Sequence, residues 1–416
     1  MFFIYQILIS LIILFSPIII FFRILKDKED KIRFKEKFCI FSKKRGKGKL
    51  IWFHGASVGE ILSIIPLIHK YEKNRSINKI LITSNTLSSS KVISKYKFKK
   101  TVHQFFPIDQ IFLTSRFLNY WKPHLAIFVD SEIWPNMARV LKKKEIPLVL
   151  LNARITKKSF NRWIKFKNFS KYVFSKITVA YPQNKETKYF LKKLKVNKIK
   201  KIGNLKLIEN IQDKQDNIET RLGSQFIKNK IWIAASTHPN EEIFLIKSHI
   251  ELKRSNKDLI TIIIPRHVHR VNEIISKVKS FNLKIATHSS KIKNLKNIDI
   301  YIVDTFGESK KFYKIGNTVF IGGTLVPKGG QNPLEAARYG AKILHGPHVD
   351  NFKDVFIMLK SIGISKEIKT SQKLASSITF KKNLKGVSKI KKIGRLILKK
   401  TIKELEFFIN NEPKKT

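Results

Sequence analysis

Short apolar runs recur along this chain, each followed by a stretch of helical character, and that alternation constrains what it can fold into. The runs are 49–54, 80–84, 125–130, 147–152, 177–181 and 199–203, then 231–235, 260–265, 298–303, 318–322 and 341–345. Several are near-continuous Ile, Val, Leu and Phe, which suits strands buried on both faces of a parallel sheet. Helical patterns lie among them at 58–72, 134–144, 240–254, 270–281 and 332–339. Strands alternating with helices give parallel sheets covered on both faces. The 416 residues suffice for two such domains, each with its own core. The expected division is an apolar helix over 1–22, a Rossmann-like domain over 23–205, a polar linker region over 206–225, a second Rossmann-like domain over 226–387, and a basic helix and tail over 388–416.

The amino terminus sets a second constraint. Residues 1–22 carry no charged side chain. As a helix rising about 1.5 Å per residue they match the roughly 30 Å hydrocarbon core of a bilayer. No basic region precedes them and no small-residue cleavage pattern follows, so an anchor is expected rather than a cleaved leader. Arg23, Lys26, Lys28, Lys31, Arg33, Lys35 and Lys37 come next. By the positive-inside rule that flank stays in the cytoplasm, with the body held on the inner face of the membrane. Whether the helix crosses the bilayer or lies along it is open at this level. The lone cysteine, Cys39, excludes an intramolecular disulfide and a cysteine-built metal cage. The 83 Lys and Arg outweigh 30 Asp and Glu, a formal charge of +53 spread along the whole chain. Such an excess favours anionic partners, whether phosphorylated ligands or acidic lipid.

Chemistry-bearing residues gather where apolar runs end. Residues 51–60 read Ile-Trp-Phe-His-Gly-Ala-Ser-Val-Gly-Glu, with Ser57 and Glu60 spaced as a helix capping box. Glu60 is also a candidate general base, since a carboxylate at a strand-to-helix turn sits where α/β enzymes place their sites. Asp130-Ser131-Glu132-Ile133-Trp134-Pro135-Asn136 follows another run. In the second half, Ser236-Thr237-His238, Pro265-Arg266-His267 and Asp304-Thr305-Phe306-Gly307-Glu308 all follow runs. Lys328-Gly329-Gly330-Gln331-Asn332-Pro333-Leu334-Glu335 reads as a Gly-rich turn entering a helix, with Asn332 at the cap and Pro333 in the first helical position. The glycines permit close backbone approach, and a helix start is suited to a phosphate. Gly-rich turns in both halves suggest a site in a cleft between two domains.

Read together, these motifs resemble the 3-deoxy-D-manno-octulosonic acid (Kdo) transferases of lipid A biosynthesis, glycosyltransferase family 30. The resemblance covers nearly the whole chain. It includes the amino-terminal anchor, His54-Gly55-Ala56-Ser57-Val58-Gly59-Glu60, Ser131-Glu132-Ile133-Trp134-Pro135-Asn136, Asn152-Ala153-Arg154 and Gly203-Asn204-Leu205-Lys206, and then the second-half turns through Gly346-Pro347-His348. Gln331 stands where a His is usual. The resemblance implies an α/β fold of GT-B type, two Rossmann-like domains facing a cleft. It implies an inverting transfer of Kdo from CMP-Kdo to a lipid A precursor, lipid IVA, at the inner membrane. Carried over by position, Glu60 is the catalytic base, with Ser57 and Glu132 on the acceptor side. Arg266, Asn332, Glu335, Pro265, His238, Gly307, Lys206, Gly329 and Gly330 are donor-binding. No metal, no other cofactor and no nucleic acid is expected as a partner. The alternatives are another GT-B transferase with a different nucleotide sugar, and a non-catalytic, membrane-tethered basic protein that binds polyanions.

Overall fold

The computed structural model describes residues 1–208, 218, 220–291 and 294–411. Half of the expected linker, 209–217 and 219, lies outside the described residues, as does the tail 412–416. The chain divides into two compact units, Met1–Ile211 with Ile393–Thr416, and Gln212–Lys392.

The first unit holds a six-stranded sheet of β1 (Leu50–His54), β2 (Lys79–Ser84), β3 (Thr101–Phe105), β4 (Leu125–Val129), β5 (Leu148–Ala153) and β6 (Val179–Pro182). Its order is β3-β2-β1-β4-β5-β6 and every pair is parallel. This is the doubly wound order, which reverses between β1 and β4. Those two strands are buried along their whole length. Trp52, Phe117, Trp121, Phe128 and Phe174 fill one large core of this unit. Helix Val58–Glu72 follows β1 and buries Ile61, Ile64, Ile65, Ile68 and Tyr71. The spacing of these residues makes one apolar stripe facing the sheet. The carboxy-terminal helix Leu384–Asn410 contributes to the first unit from residue 393 onward. There Glu404 accepts hydrogen bonds from the Tyr181 hydroxyl at 2.8 Å and from Lys200 Nζ at 2.7 Å.

The second unit holds β7 (Lys230–Thr237), β8 (Leu259–Pro265), β9 (Ile285–Thr287), β10 (Ile300–Ile302), β11 (Thr318–Ile321), β12 (Lys342–His345) and β13 (Ser365–Glu367). Their order is β13-β12-β11-β7-β8-β10-β9, again parallel throughout. Here the order reverses between β7 and β11. Trp232, Ile263, Ile274, Ile302, Phe320 and Leu344 form its core.

Three strands escape the sequence pattern. In β3 the inward residues include His103 and Gln104, whose polarity masks the strand. They are buried because His103 Nε2 pairs with the Ser84 hydroxyl at 2.9 Å and Gln104 accepts from Trp121 Nε1 at 3.0 Å. β9 and β13 are three-residue edge strands, too short for a periodic signal. The run 199–203, expected as a strand, reduces to one bridge from Ile199 to Ala180.

Close backbone approach at the β7–β11 junction requires glycine. A Cβ on Gly322 would lie 2.2 Å from the Ser236 carbonyl oxygen. We expect Gly322→Ala to destabilise the second unit by about 1–3 kcal/mol, the scale of overpacking a tight site. Urea unfolding followed through Trp232, which is fully buried in β7, reports on this unit. An unchanged midpoint would contradict the close approach.

Candidate active site

In an open parallel sheet, ligands bind beyond the carboxyl ends of the strands where the strand order reverses. In the first unit that place is occupied by the residues after β1 and β4. Backbone Ala56 N–H donates to Glu60 Oε2 at 2.7 Å, and the Ser57 hydroxyl donates to Oε1 at 2.9 Å. Ser57 Oγ also accepts from Glu60 N at 3.4 Å, so Ser57 caps the helix as expected. The Glu60 side chain turns back to the amide of Ala56 rather than to that of Ser57. Both its oxygens are thereby aimed over the carboxyl end of β1.

Glu132 is held by two donors, His54 Nε2 at 3.1 Å and Trp134 Nε1 at 2.9 Å, both on Oε2. His54 is fully buried and stacks on Phe106 with ring centroids 3.9 Å apart. Its Nδ1 lies 3.0 Å from Thr83 Oγ1, which accepts from Trp52 Nε1 at 2.8 Å. A consistent donor sequence therefore runs from Trp52 through the Thr83 hydroxyl and His54 to the Glu132 carboxylate. Burial pushes the Glu60 carboxyl up, and the charges of Glu132 and Asp130 push it further, to about 7. The Ser57 hydroxyl and Ala56 amide oppose the rise without cancelling it. A carboxylate poised near neutrality is suited to take a proton at working pH.

The Asn152-Ala153-Arg154 and Gly203-Asn204-Leu205-Lys206 motifs meet in the first unit. Asn152, in the left-handed region at φ 53°, donates from Nδ2 to Asp130 Oδ1 at 2.5 Å and accepts from Leu205 N at 2.9 Å. This ties the end of β5 to the 203–206 turn. Lys206 belongs to the first unit, with Nζ 3.5 Å from Asp130.

In the second unit, the turns after β7, β8 and β11 come together. Glu241, which sequence reasoning missed, is fully buried. Its carboxylate accepts from the backbone amides of His238 at 2.9 Å, Gly323 at 2.7 Å, Thr324 at 3.1 Å and Leu325 at 3.0 Å. This one side chain joins the β7 and β11 turns. Arg266 N donates to the Thr237 carbonyl at 3.1 Å, bringing in the turn after β8. His238 Nε2 is buried without a hydrogen-bond partner among the described residues. Burial holds His238 below its ordinary pKa, and the charges of His267, Lys328, Arg266 and Arg270 add to this. An orphaned imidazole nitrogen amid cations, with an exposed Arg266, suits an anion.

Gly329 and Gly330 have φ of 79° and 73°. A Cβ on Gly330 would lie 2.9 Å from Thr324 Cγ2, and one on Gly329 would lie 2.7 Å from the Asn351 amide. Gly330 N donates to the Gly323 carbonyl at 2.8 Å, so this loop rests on the β11 turn. The helix beyond it is shorter than the sequence suggests. It runs Leu334–Arg338 with Pro333 at the cap position, and Asn332 Oδ1 accepts from Leu334 N at 3.1 Å as a local turn. Glu335 lies in its first turn. Pro265 ends β8, and Gly307, at φ 90°, lies beyond β10 in an open turn beside the exposed Phe306.

The family profile described as 3-Deoxy-D-manno-octulosonic-acid transferase (kdotransferase) matches residues 32–208. A relative from Rickettsia bellii described as 3-deoxy-D-manno-octulosonic acid transferase is 34% identical, covering 87% of this chain and 86% of its own. The chain belongs to the Kdo transferase family. A Kdo transferase of Haemophilus influenzae is 31% identical over 75% of this chain and 74% of its own length. Among solved structures, a UDP-GlcNAc 2-epimerase of Neisseria meningitidis bound to UDP-GlcNAc gives a TM-score of 0.57 at 13% identity, over 86% of this chain and all of that one. A glycosyltransferase of Rickettsia africae gives 0.53 at 13% identity, over 88% of this chain and all of that one. These two likenesses concern the fold, which is of GT-B type. The family supports Kdo transfer in lipopolysaccharide biosynthesis.

The raised Glu60 pKa links to stability. Between its ordinary 4.5 and about 7 the folded chain keeps a proton here that the unfolded chain releases. The stability this contributes at low pH is therefore lost as pH rises to about 7. Glu60→Gln removes the loss. Its melting temperature should rise relative to the parent chain between about pH 5 and about pH 8. A difference independent of pH would contradict the shift.

Proposed function

We propose that the chain transfers Kdo from CMP-Kdo to a lipid A precursor, lipid IVA, with inversion at the anomeric carbon. The observation that carries this reading is Glu60, a carboxylate poised near 7 at the switch point of the first sheet, in a chain of the Kdo transferase family. In this reading the first unit binds the acceptor and the second binds the donor.

Glu60 takes the proton from an acceptor sugar hydroxyl. The freed oxygen attacks the anomeric carbon of Kdo, and the bond from that carbon to the CMP phosphate breaks. CMP leaves with the electron pair. Glu132 raises the basicity of Glu60 by its charge, and Ser57 and Ala56 fix the carboxylate's direction. In the second unit, Arg266, His238 and Lys328 supply the cationic surroundings for the phosphate. Gly329 and Gly330 let the backbone approach it, and Asn332 and Glu335 are assigned to the nucleoside sugar. Pro265 and Gly307 shape the neighbouring turns. Positive charge set where the leaving phosphate develops its negative charge lowers the barrier.

The acceptor is a lipid, so the reading places the chain at the cytoplasmic face of the inner membrane. The apolar helix Phe2–Leu25 and the basic segment after it support that placement.

The test is transfer itself. Membranes carrying the chain are given CMP-Kdo and a tetraacylated lipid A precursor, and the lipid is examined by mass spectrometry. The expected result is a gain of one or more Kdo masses. Glu60→Gln should lower turnover by about 10²–10⁴-fold, the range for loss of a general base. Arg266→Ala should raise KM for CMP-Kdo more than it lowers kcat. Full turnover by Glu60→Gln would overturn the assigned base, and no mass gain with folded protein would overturn the reaction.

A further inference from the structure

We propose that the amino-terminal helix Phe2–Leu25 does not cross the membrane: it lies lengthwise on the first unit and offers its outer face to an anionic lipid surface. This rests on the membrane association proposed above and specifies its geometry.

The helix has two faces. Phe2, Tyr5, Ile9, Ile13, Ser16 and Ile20 recur at steps of three or four and are buried or half-buried. Phe3, Ile7, Leu11, Leu14, Ile18, Phe22 and Leu25 recur at the same steps and are exposed. The inner stripe is bound to the folded unit. The Tyr5 hydroxyl donates to Asp109 Oδ2 at 2.6 Å, and Gln6 Nε2 donates to Asn136 Oδ1 at 2.5 Å. Asp109 is itself buried and accepts from the backbone amides of Asn136 at 3.0 Å and Met137 at 2.8 Å. Phe2 packs edge-on against Tyr172 at 5.6 Å and lies under the Arg139 guanidinium at 4.8 Å. Further along, Ile13 packs against the core of this unit. Pro17 deprives the Ile13 carbonyl of its usual helical donor, and the Ser16 hydroxyl donates to that carbonyl instead at 2.6 Å.

These contacts decide between the two geometries. Tyr5 and Arg23 are separated by about 27 Å along a helix. In a spanning helix that distance is the hydrocarbon core, and Tyr5 would emerge on the side opposite the basic flank and the body. Its bond to Asp109 requires it on the same side as the body. Leaving the site would cost Asp109 its hydroxyl donor and Asn136 Oδ1 its amide donor. The exposed apolar outer face, followed over residues 23–37 by seven Lys and Arg against four Asp and Glu, matches an acidic bilayer surface. A hollow of about 390 Å³ beside the start of the helix, lined by Ile4, Leu8, Trp163, Phe166 and Phe169 with Arg162 among them, continues that apolar face.

The test uses nitroxide labels on the full chain bound to phosphatidylethanolamine–phosphatidylglycerol vesicles. Phe3→Cys, Leu14→Cys and Leu25→Cys sit on the outer face, and the native Cys39 is buried away from label. Collision with oxygen and with a polar nickel complex gives the depth of each label. The inference expects three equal depths, about 5–10 Å below the headgroups. A spanning helix would place the Leu14 label about 15 Å deeper than the other two, half a hydrocarbon core, and that would overturn the inference alone. Three labels left in water would overturn the membrane association together with it.

Discussion

Within each sheet every described strand runs parallel to its neighbours, and that constraint decides where chemistry can lie. A parallel sheet gathers every strand's carboxyl end along one edge, and the reversal of strand order opens a gap there. In the first unit the gap falls between β1 and β4, whose following residues supply Glu60 and Glu132. In the second it falls between β7 and β11, whose turns are joined through the four amide hydrogen bonds of Glu241. The two strands before each gap are buried apolar runs, so their polar ends are positioned by rigid elements.

The scarce acids have a structural role that the net charge conceals. Thirty acidic residues against 83 basic ones would suggest that each carboxylate serves a surface pair. Instead several are turned inward onto backbone amides. Glu241 binds four and Asp109 two, and Glu72 accepts from the amides of Lys99 and Lys100 and from the Thr101 hydroxyl. A buried carboxylate is tolerated only with such partners. The outside is correspondingly left cationic, which suits an anionic lipid surface and a phosphorylated donor.

Much of the fold is legible in the sequence because buried parallel strands leave nearly pure apolar runs. Helix 58–72 is read with the bounds it has, since Ser57 marks its start and its stripe is regular. β3 is not legible, because His103 and Gln104 are polar yet buried in pairs with residues remote in sequence. The same reason hides Asp109 and Glu241. Asp109 bonds the amides of Asn136 and Met137, and three of the four amides on Glu241 belong to the β11 turn; no local pattern announces such a distant amide. Glu60 is legible as a cap and as a candidate base: the cap fixes the direction of the carboxylate, and burial, then the charge of the neighbouring Glu132, raises its pKa. The fixed position of Glu132, reached through Trp52, Thr83 and His54, is visible only in three dimensions.

Burial, and then the charge of Glu132, holds the Glu60 carboxyl near neutrality. The most direct measurement is a carbon-13 NMR titration of glutamate-labelled chain, with the Glu60 carboxyl signal identified by its loss in Glu60→Gln. The expected midpoint is at about 7, moving toward the ordinary value when Glu132 is replaced by Gln. A midpoint at the ordinary 4.5, insensitive to Glu132, would contradict it.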